Sequence, residues 1–381
     1  MTSFEYCLDS ELVREADGKR RKVRELLKRG ADINATDNRG TSALMKASRF
    51  GNVEIIRELL KHDGVHVNAQ NVTGDTALSL ACFQDDNDRA VRALLEDKRV
   101  DVNARHSDGS TSLIRMSRYG RLAHVRELLK HDGVHVNAAD DRGATALIHA
   151  TKEGHTDIVH ELLKHTSVDV NVKRYDGNTA LICACQSVHS REALVCELLK
   201  HESLEVNATD RYGKTALYWA SVFEQAAVVG ELVKDDRVDV NAGKHGLTAL
   251  ISASMDGYEA VVIELLKCDR VDVNSKYCHD SALVWASYRG HHGVVHALLK
   301  RDGLDVNTKC IRGNTALVWA CLHGRLDIVT ELMKFPLIDV YARNKAGSTA
   351  LDLARELDLV EIVKVIEGRT KKGFSRHLDE P

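Results

Sequence analysis

No stretch of about 18 consecutive apolar residues occurs in this chain, so no segment is expected to cross a membrane as a helix. The opening MTSFEYCLDSELVREADGKRR has no apolar core of the secretory kind, and the expected location is the cytoplasm, with the nucleus as the alternative. Charge of one sign is missing as well. Lys plus Arg is 53 against 56 for Asp plus Glu, a formal net charge of −3. Phosphate binding needs a basic excess on one face, so neither nucleic acid nor an anionic membrane is indicated, although this balance leaves room for a local basic patch. The nine cysteines are odd in number and include no CxxC pair. They read as small buried or half-buried thiols of a reducing compartment.

Catalytic signatures are also lacking. There is no phosphate-cradling glycine loop, no GxSxG and no cysteine–histidine signature, and the 25 glycines are scattered as turn residues. The segment HELLKH at 160–165 approaches the zinc motif HExxH, but its second histidine is one place late, and a ligand pair on a helix needs i,i+4 spacing. His292 and His296 have that spacing with no evident third ligand. NxT sequons at Asn34, Asn71 and Asn207 are discounted as glycosylation sites in a cytosolic-looking chain. The chain reads as non-enzymatic, without cofactor or metal.

What is present is a repeated sentence: GxTALxxA, then xxELLK, then VDVNA. The closing asparagine returns every 33 to 36 residues, at Asn34, Asn68, Asn103, Asn137, Asn171, Asn207, Asn241, Asn274 and Asn307, with Tyr341 in the tenth place. Such a period marks a stack of supersecondary units, each unable to bury its apolar face alone. In residues 143–171, Gly143 suits a positive-φ turn and Thr145 can cap a helix. Ala146, Leu147 and Ala150 form a narrow apolar stripe, Gly154 allows a reversal, and Thr156 can cap a second helix. Ile158, Val159, Leu162 and Leu163 give that helix a wider apolar face, and VDVN alternates like a short extended segment. The unit is helix, turn, helix, loop. Small residues on the first helix and large ones on the second would curve the stack, with the first helices on the concave side. At a helix spacing of roughly 8–10 Å the arc would be on the order of 90 Å long.

These residues resemble the ankyrin-repeat family, over about residues 11 to 367. One departure is consistent. The family's TPLH is TAL here, as at Thr76-Ala77-Leu78, Thr179-Ala180-Leu181 and Thr315-Ala316-Leu317, and only Pro336 and Pro381 occur in the whole chain. Ala in the first turn is compatible with the helix. The expected fold is an all-α, curved solenoid: capping helices over 1–31, one continuous array over 32–367 and a disordered tail over 368–381. The resemblance also implies that segments such as those holding Asn103, Asn171, Asn241, Asn274 and Asn307 can be substrates of an asparaginyl hydroxylase. The same side chain is wanted structurally, to bridge the loop.

Three units break the pattern: residues 82–90 (CFQDDNDRA), 186–193 (QSVHSREA) and 277–280 (YCHD), where His279 takes a glycine's place. Each is either a partner footprint or drift. In the tail, Arg369, Lys371, Lys372 and Arg376 surround Ser375, which suggests a modification or localisation site or a frayed end.

The variable positions of such stacks are loop tips and the end of the first helix. Here the helix ends carry Arg49, Phe50, Phe83, Arg118, Tyr119, Tyr288, Arg289 and His323, and the tips carry Tyr175 and Tyr212, with Arg105, Arg142, Arg174, Tyr277 and Arg312 beside them. Aromatic and Arg residues are the types enriched at interface hot spots. Trp219, Trp285 and Trp319 share one repeat position, two residues after the TAL or SAL leucine, where Lys46, Arg115, His149 and Cys183 stand elsewhere. They form either a ladder of half-buried indoles or a hydrophobic patch for a partner segment. The resemblance implies a monomeric protein-binding scaffold or adaptor with a protein partner on the concave groove. The alternative is a substrate-recruiting or regulatory subunit of a larger enzyme assembly.

Overall fold

The computed structural model describes residues 3–84, 86–187 and 191–376, with side chains described over 7–84, 86–187 and 191–369. The chain divides into two compact units, Met1–Ala180 with Lys200–Leu204, and Leu181–Leu199 with Glu205–Pro381. In the first, helices come in pairs: Ser3–Glu15 with Arg20–Lys28, Ala43–Arg49 with Val53–Leu60, Ala77–Cys82 with Asp88–Leu95, Ser112–Arg118 with Leu122–Leu129, and Ala146–Glu153 with Thr156–Leu163. The second unit continues the pattern from Ala180–Cys185 and Glu192–Leu199 through Ala216–Val222 and Ala226–Lys234, Ala249–Asp256 and Glu259–Leu266, Ala282–Arg289 and His292–Leu299, Ala316–Leu322 and Leu326–Leu332, to Ala350–Glu356 and Val360–Arg376. The fold is the all-α solenoid expected. Its only strands among the described residues are the two-residue pair Lys276–Tyr277 and Asp280–Ser281.

The first helix begins where the threonine or serine of each TAL-type segment places its hydroxyl under the N3 amide. Thr145 accepts from Ile148 N at 3.4 Å, Thr215 from Tyr218 N and Thr248 from Ile251 N, each at 3.3 Å. Ala146 and Ala150 are fully buried, and their small size lets successive first helices pack closely. Ile158, Val159 and Leu162 bury the wider face of the second helix. Two local expectations change. Thr156 is the first helical residue and does not cap; the cap position is His155. The VDVN segment is a turn instead of an extended stretch, because Asp169 Oδ1 accepts from Asn171 N at 2.9 Å and folds the chain back.

The repeated asparagine joins each repeat to the next from both ends of its amide. Asn241 Nδ2 donates to Arg270 O at 2.7 Å, and its Oδ1 accepts from Asp272 N at 2.8 Å. Asn34 does the same with Gly64 O and His66 N, Asn103 with Gly133 O and His135 N, Asn274 with Gly303 O and Asp305 N, and Asn307 with Leu337 O and Asp339 N. A second ladder, not foreseen from the sequence, runs between the helix pairs. The cap residue of a second helix reaches back to the last carbonyls of the preceding repeat's first helix. Asn87 bonds Ser48 O, His155 bonds Arg118 O, Gln225 bonds Cys185 O and His291 bonds Met255 O, at 2.9–3.2 Å. Those carbonyls lack helical partners, and any side chain with a donor at the right height satisfies them. This is why Asn, His and Gln can all serve there; Arg121, Tyr258 and Arg325 hold the same position in other repeats. His155 and His291 therefore serve a second helix's start.

The irregular units are partly visible. In 82–90 Asn87 takes the cap position of the second helix; residue 85 lies outside the described residues, as do 188–190 of the 186–193 insertion. In 277–280 the loop after Asn274 is one residue shorter than the loop after Asn307. The tip closes as a two-residue hairpin with Tyr277 opposite Asp280, which drives both Cys278 (φ 52) and His279 (φ 74) into the left-handed region. At the end of the chain the helix continues through Arg376, past the start expected for a tail, and Arg369 donates to Met333 O and, at 2.8 Å, to Phe335 O. Residues 377–381 lie outside the described residues. Cysteine exposure also departs from expectation. Cys82, Cys183, Cys185, Cys310 and Cys321 are buried, but Cys7 and Cys278 are exposed.

Two outcomes follow for the folded chain. Asn241→Ala removes both inter-repeat bonds and should lower unfolding free energy by about 1–2 kcal/mol, read as a fall in urea midpoint with unchanged slope; a loss below about 0.3 kcal/mol would show that water replaces the bridge. Burial pushes the Cys82 and Cys321 thiols up to about 12, which suppresses the reactive thiolate. A disulfide reagent at pH 8 should label Cys7 and Cys278 fast and Cys82 and Cys321 only after denaturation, a pattern mass spectrometry of the labelled peptides resolves.

Candidate functional site

Two loop tips are held to their first helices through an aspartate at the base. Asp140 Oδ1 accepts from Arg142 N and Ala144 N, both at 2.9 Å, and its Oδ2 faces His149 Nε2 at 2.8 Å. Asp210 does the same: Oδ1 accepts from Tyr212 N and Lys214 N, and Oδ2 takes the Trp219 indole N–H at 3.0 Å. The acid and its partner stand nine residues apart in both repeats. Asp75 is answered from the next repeat, with His106 Nδ1 at 3.1 Å and Arg115 at 2.7 Å. The His106 hydrogen bond, with Thr73 and Arg115, holds the Asp75 carboxyl well below the usual carboxylate range against its burial. These tips are thus pinned structures.

In the first unit these tips and the first-helix ends line one cleft of about 260 Å³, bounded by Asp108, Arg118, Asp141, Lys152, Glu153 and Arg174. Of the residues singled out from sequence, Arg49, Phe50, Phe83, Arg118, Tyr119 and Tyr175 belong to this unit and all are exposed, Phe50 at 59% and Tyr175 at 80%. Phe83 and Tyr119 meet edge to face at 6.5 Å, and the Arg118 guanidinium lies 5.9 Å from the Tyr119 ring. Phe50 and Tyr175 make no ring contact with them among the described residues.

In the second unit the rings cluster. Tyr288, 36% exposed, stands edge-on to Trp319 at 5.0 Å and to His323 at 5.0 Å, and meets Trp285 at 6.2 Å. Trp319 stacks on His323 at 5.8 Å. Arg289 is exposed beside them. Trp219 is apart from this cluster, packed with Tyr218 and Phe223, because Ser252 interrupts the Trp position between Trp219 and Trp285. Tyr212 is exposed under the Arg211 guanidinium at 4.7 Å. All three tryptophans are half-buried, while Cys183 at the same repeat position is buried. Tyr218 was missed from sequence; its ring carries Lys214 Nζ 3.8 Å above it, a contact between tip and helix that spacing alone does not reveal. Among the described residues no group of three or more His, Cys, Asp and Glu has metal-holding geometry, and His296 Nδ1 faces Glu331 Oε1 at 2.6 Å.

One difference between the tryptophans has a chemical cause. Trp285 and Trp319 bury indole N–H groups that have no acceptor, because the residues nine places earlier are Lys276 and Cys310 in place of an aspartate. Cys310 Sγ accepts from Arg312 N at 3.3 Å, imitating only the first half of what Asp210 does. Cys310→Asp should therefore supply the missing acceptor and raise stability by about 1 kcal/mol, and the gain should vanish in a Trp319→Phe background. Additive effects in that double-mutant cycle would refute the nine-residue coupling.

A family model described as ankyrin repeats (3 copies) matches residues 13–106, 85–174, 166–244, 231–310 and 283–371. The crystal structure of EF0377, an ankyrin repeat protein, is similar at 24% identity, covering 53% of this chain and all of that one, with a TM-score of 0.48. No helix among the described residues is long and apolar enough to cross a membrane. With the family model spanning residues 13 to 371 and the repeats visible one by one, this chain belongs to the ankyrin-repeat family.

Proposed function

We propose that the chain is a protein-binding scaffold or adaptor, which holds a partner protein across the face made by loop tips and first-helix ends. Ankyrin repeats are generally protein–protein interaction modules, which supports this reading. The observation that carries it is the recurrence of exposed rings at two adjacent repeat positions, Phe83 and Tyr288 at one and Phe50 and Tyr119 at the next, each at or next to the end of a first helix. Large apolar rings left in water at these places, with Arg49, Arg118 and Arg289 alongside, have the composition of hot spots. Because aspartates pin the tips, little ordering opposes association. The same reading takes residues 1–31 as a polar cap, 32–367 as the working array, and the cytoplasm as the place of action.

The test is affinity capture from native lysate with wild type and with Arg118→Glu/Tyr119→Ala/Tyr288→Ala/Arg289→Glu, after circular dichroism has shown both folded. At least tenfold depletion of specific partners from the variant is expected. Equal recovery by both would move function off this face.

A further inference from the structure

The net charge of −3 conceals a segregation that the loop tips of the second unit make plain. These tips, 208–215, 242–248, 275–281, 308–315 and 342–349, carry exposed Lys244, Lys276, Lys309, Arg312 and Lys345. Their only carboxylates are Asp210 and Asp280. Asp210 is buried and spent on Trp219 and two tip amides. Asp280 is half-buried, and its desolvation pushes its carboxyl above the usual range. None of the five cations has an ion-pair partner among the described residues; Lys309 meets only the Arg343 carbonyl, at 3.1 Å. The first unit's tips are different. There the tips carry six carboxylates, Asp37, Asp75, Asp108, Asp140, Asp141 and Asp176; Arg105 faces Asp141 at 3.8 Å and Arg174 faces Asp176 at 3.4 Å, while Arg39 and Arg142 are exposed beside Asp37 and Asp140.

Beside these unpaired cations lies the cluster of Trp285, Tyr288, Trp319 and His323. Its rings are turned on one another: Tyr288 is edge-on to Trp319 and His323, and Trp319 stacks on His323. A nucleic-acid platform needs free aromatic faces for successive bases, and here a face is already taken by a neighbour. What the cluster offers is an apolar edge, flanked by positive charge. The charges also come at a particular interval. Consecutive repeats stack at about 10 Å, and three residues of extended peptide span about 10 Å at roughly 3.3 Å each.

Resting on the binding role proposed above, we propose that the second unit takes an extended acidic segment of its partner protein, with carboxylates at about every third residue, one for each of the four tips that carry Lys244, Lys276, Lys309 with Arg312, and Lys345, and an apolar residue against Tyr288 and Trp319. The tips supply charge and register, and the rings supply desolvated contact. Charge steering makes this association dependent on salt.

The probe is a fluorescein-labelled peptide with Glu at every third position, five Glu-Gly-Ser units long, with one Gly replaced by Leu. Controls are a peptide of the same composition with its acids clustered at one end, and a fifteen-nucleotide oligo-dT. Full-length wild type should bind the periodic peptide, with affinity falling at least tenfold between 50 and 500 mM NaCl. Lys244→Glu/Lys276→Glu/Lys309→Glu should weaken it at least tenfold, while Lys98→Glu/Lys164→Glu/Lys300→Glu, with the same change in net charge at second-helix ends, should stay within about twofold of wild type. Equal weakening by both triple variants would overturn the proposal in favour of bulk charge. Equal binding of the clustered peptide would overturn the register, and tighter binding of oligo-dT would overturn the ligand class. If no peptide binds wild type while partners are still lost from the Arg118/Tyr119/Tyr288/Arg289 variant, the acidic segment is wrong and the scaffold role stands. If those partners also persist on the variant, both fall.

Discussion

The structure depends on one reciprocal contact, the asparagine amide that bonds the next repeat through both its nitrogen and its oxygen. A carboxamide is the only uncharged side chain of this length that carries a donor and an acceptor on one planar group. It therefore meets a carbonyl and an amide of the following repeat simultaneously, as Asn241 meets Arg270 O and Asp272 N. Each contact fixes only its neighbour, so stability accumulates along the stack by nearest-neighbour terms and needs no single core. Tyr341 stands in the tenth place without that chemistry. There the repeat is followed by the final helix pair alone, and Arg369 ties that pair back through the carbonyls of Met333 and Phe335.

Because the asparagines and the buried Ala-Leu stripe carry the fold, the remaining positions divide into two kinds. Some are structural with several chemical solutions. The cap of the second helix accepts Asn87, His155, Gln225 or His291, since each puts a donor under the same carbonyls. Others are released from the fold. Where Asp140 or Asp210 pins a tip, the residue nine places later is bonded; where Lys276 or Cys310 stands instead, the tip is held by a hairpin turn or a thiol, and the buried indole N–H of Trp285 or Trp319 has no acceptor. An unsatisfied buried donor costs about 1–3 kcal/mol. Two such donors beside an exposed ring cluster mark a region where local stability is given up in exchange for surface composition.

The repeat period made the fold legible from sequence, since VNA and TAL recur whatever lies between them. Thr145 as a cap, Gly143 and Gly154 as left-handed turns, and the two apolar stripes were all readable for the same reason: each is a local rule with one dominant solution. Thr156 and the VDVN segment were misread because two local rules compete there. Thr156 has a good capping side chain, but the backbone starts the helix one residue earlier, and Asp169 turns an alternating stretch into a fold-back. The site was legible in its exposed residues and illegible in its grouping. Trp319 and His323 are one helical turn apart, but Tyr288 meets them only through the stack, whereas Phe50 and Tyr175 are exposed without a ring contact among the described residues.

Net charge illustrates how a sum hides a pattern. Many acids of the second unit are committed to structure. Asp239, Asp272, Asp305 and Asp339 each accept the backbone amide two residues on, at 3.0–3.1 Å. Glu231, Glu264 and Glu331 pair with lysines one turn later on the second helices. A carboxylate committed to a backbone amide or an i,i+3 lysine still lowers the total, but its field is local and short-ranged in water. The tip lysines have no such commitment. A chain that is mildly acidic overall can therefore present one basic face, because the repeat assigns negative charge to positions that build the loop and leaves the tips free to vary in sign. The sign of a binding surface in a repeat protein is set by what the architecture does not use.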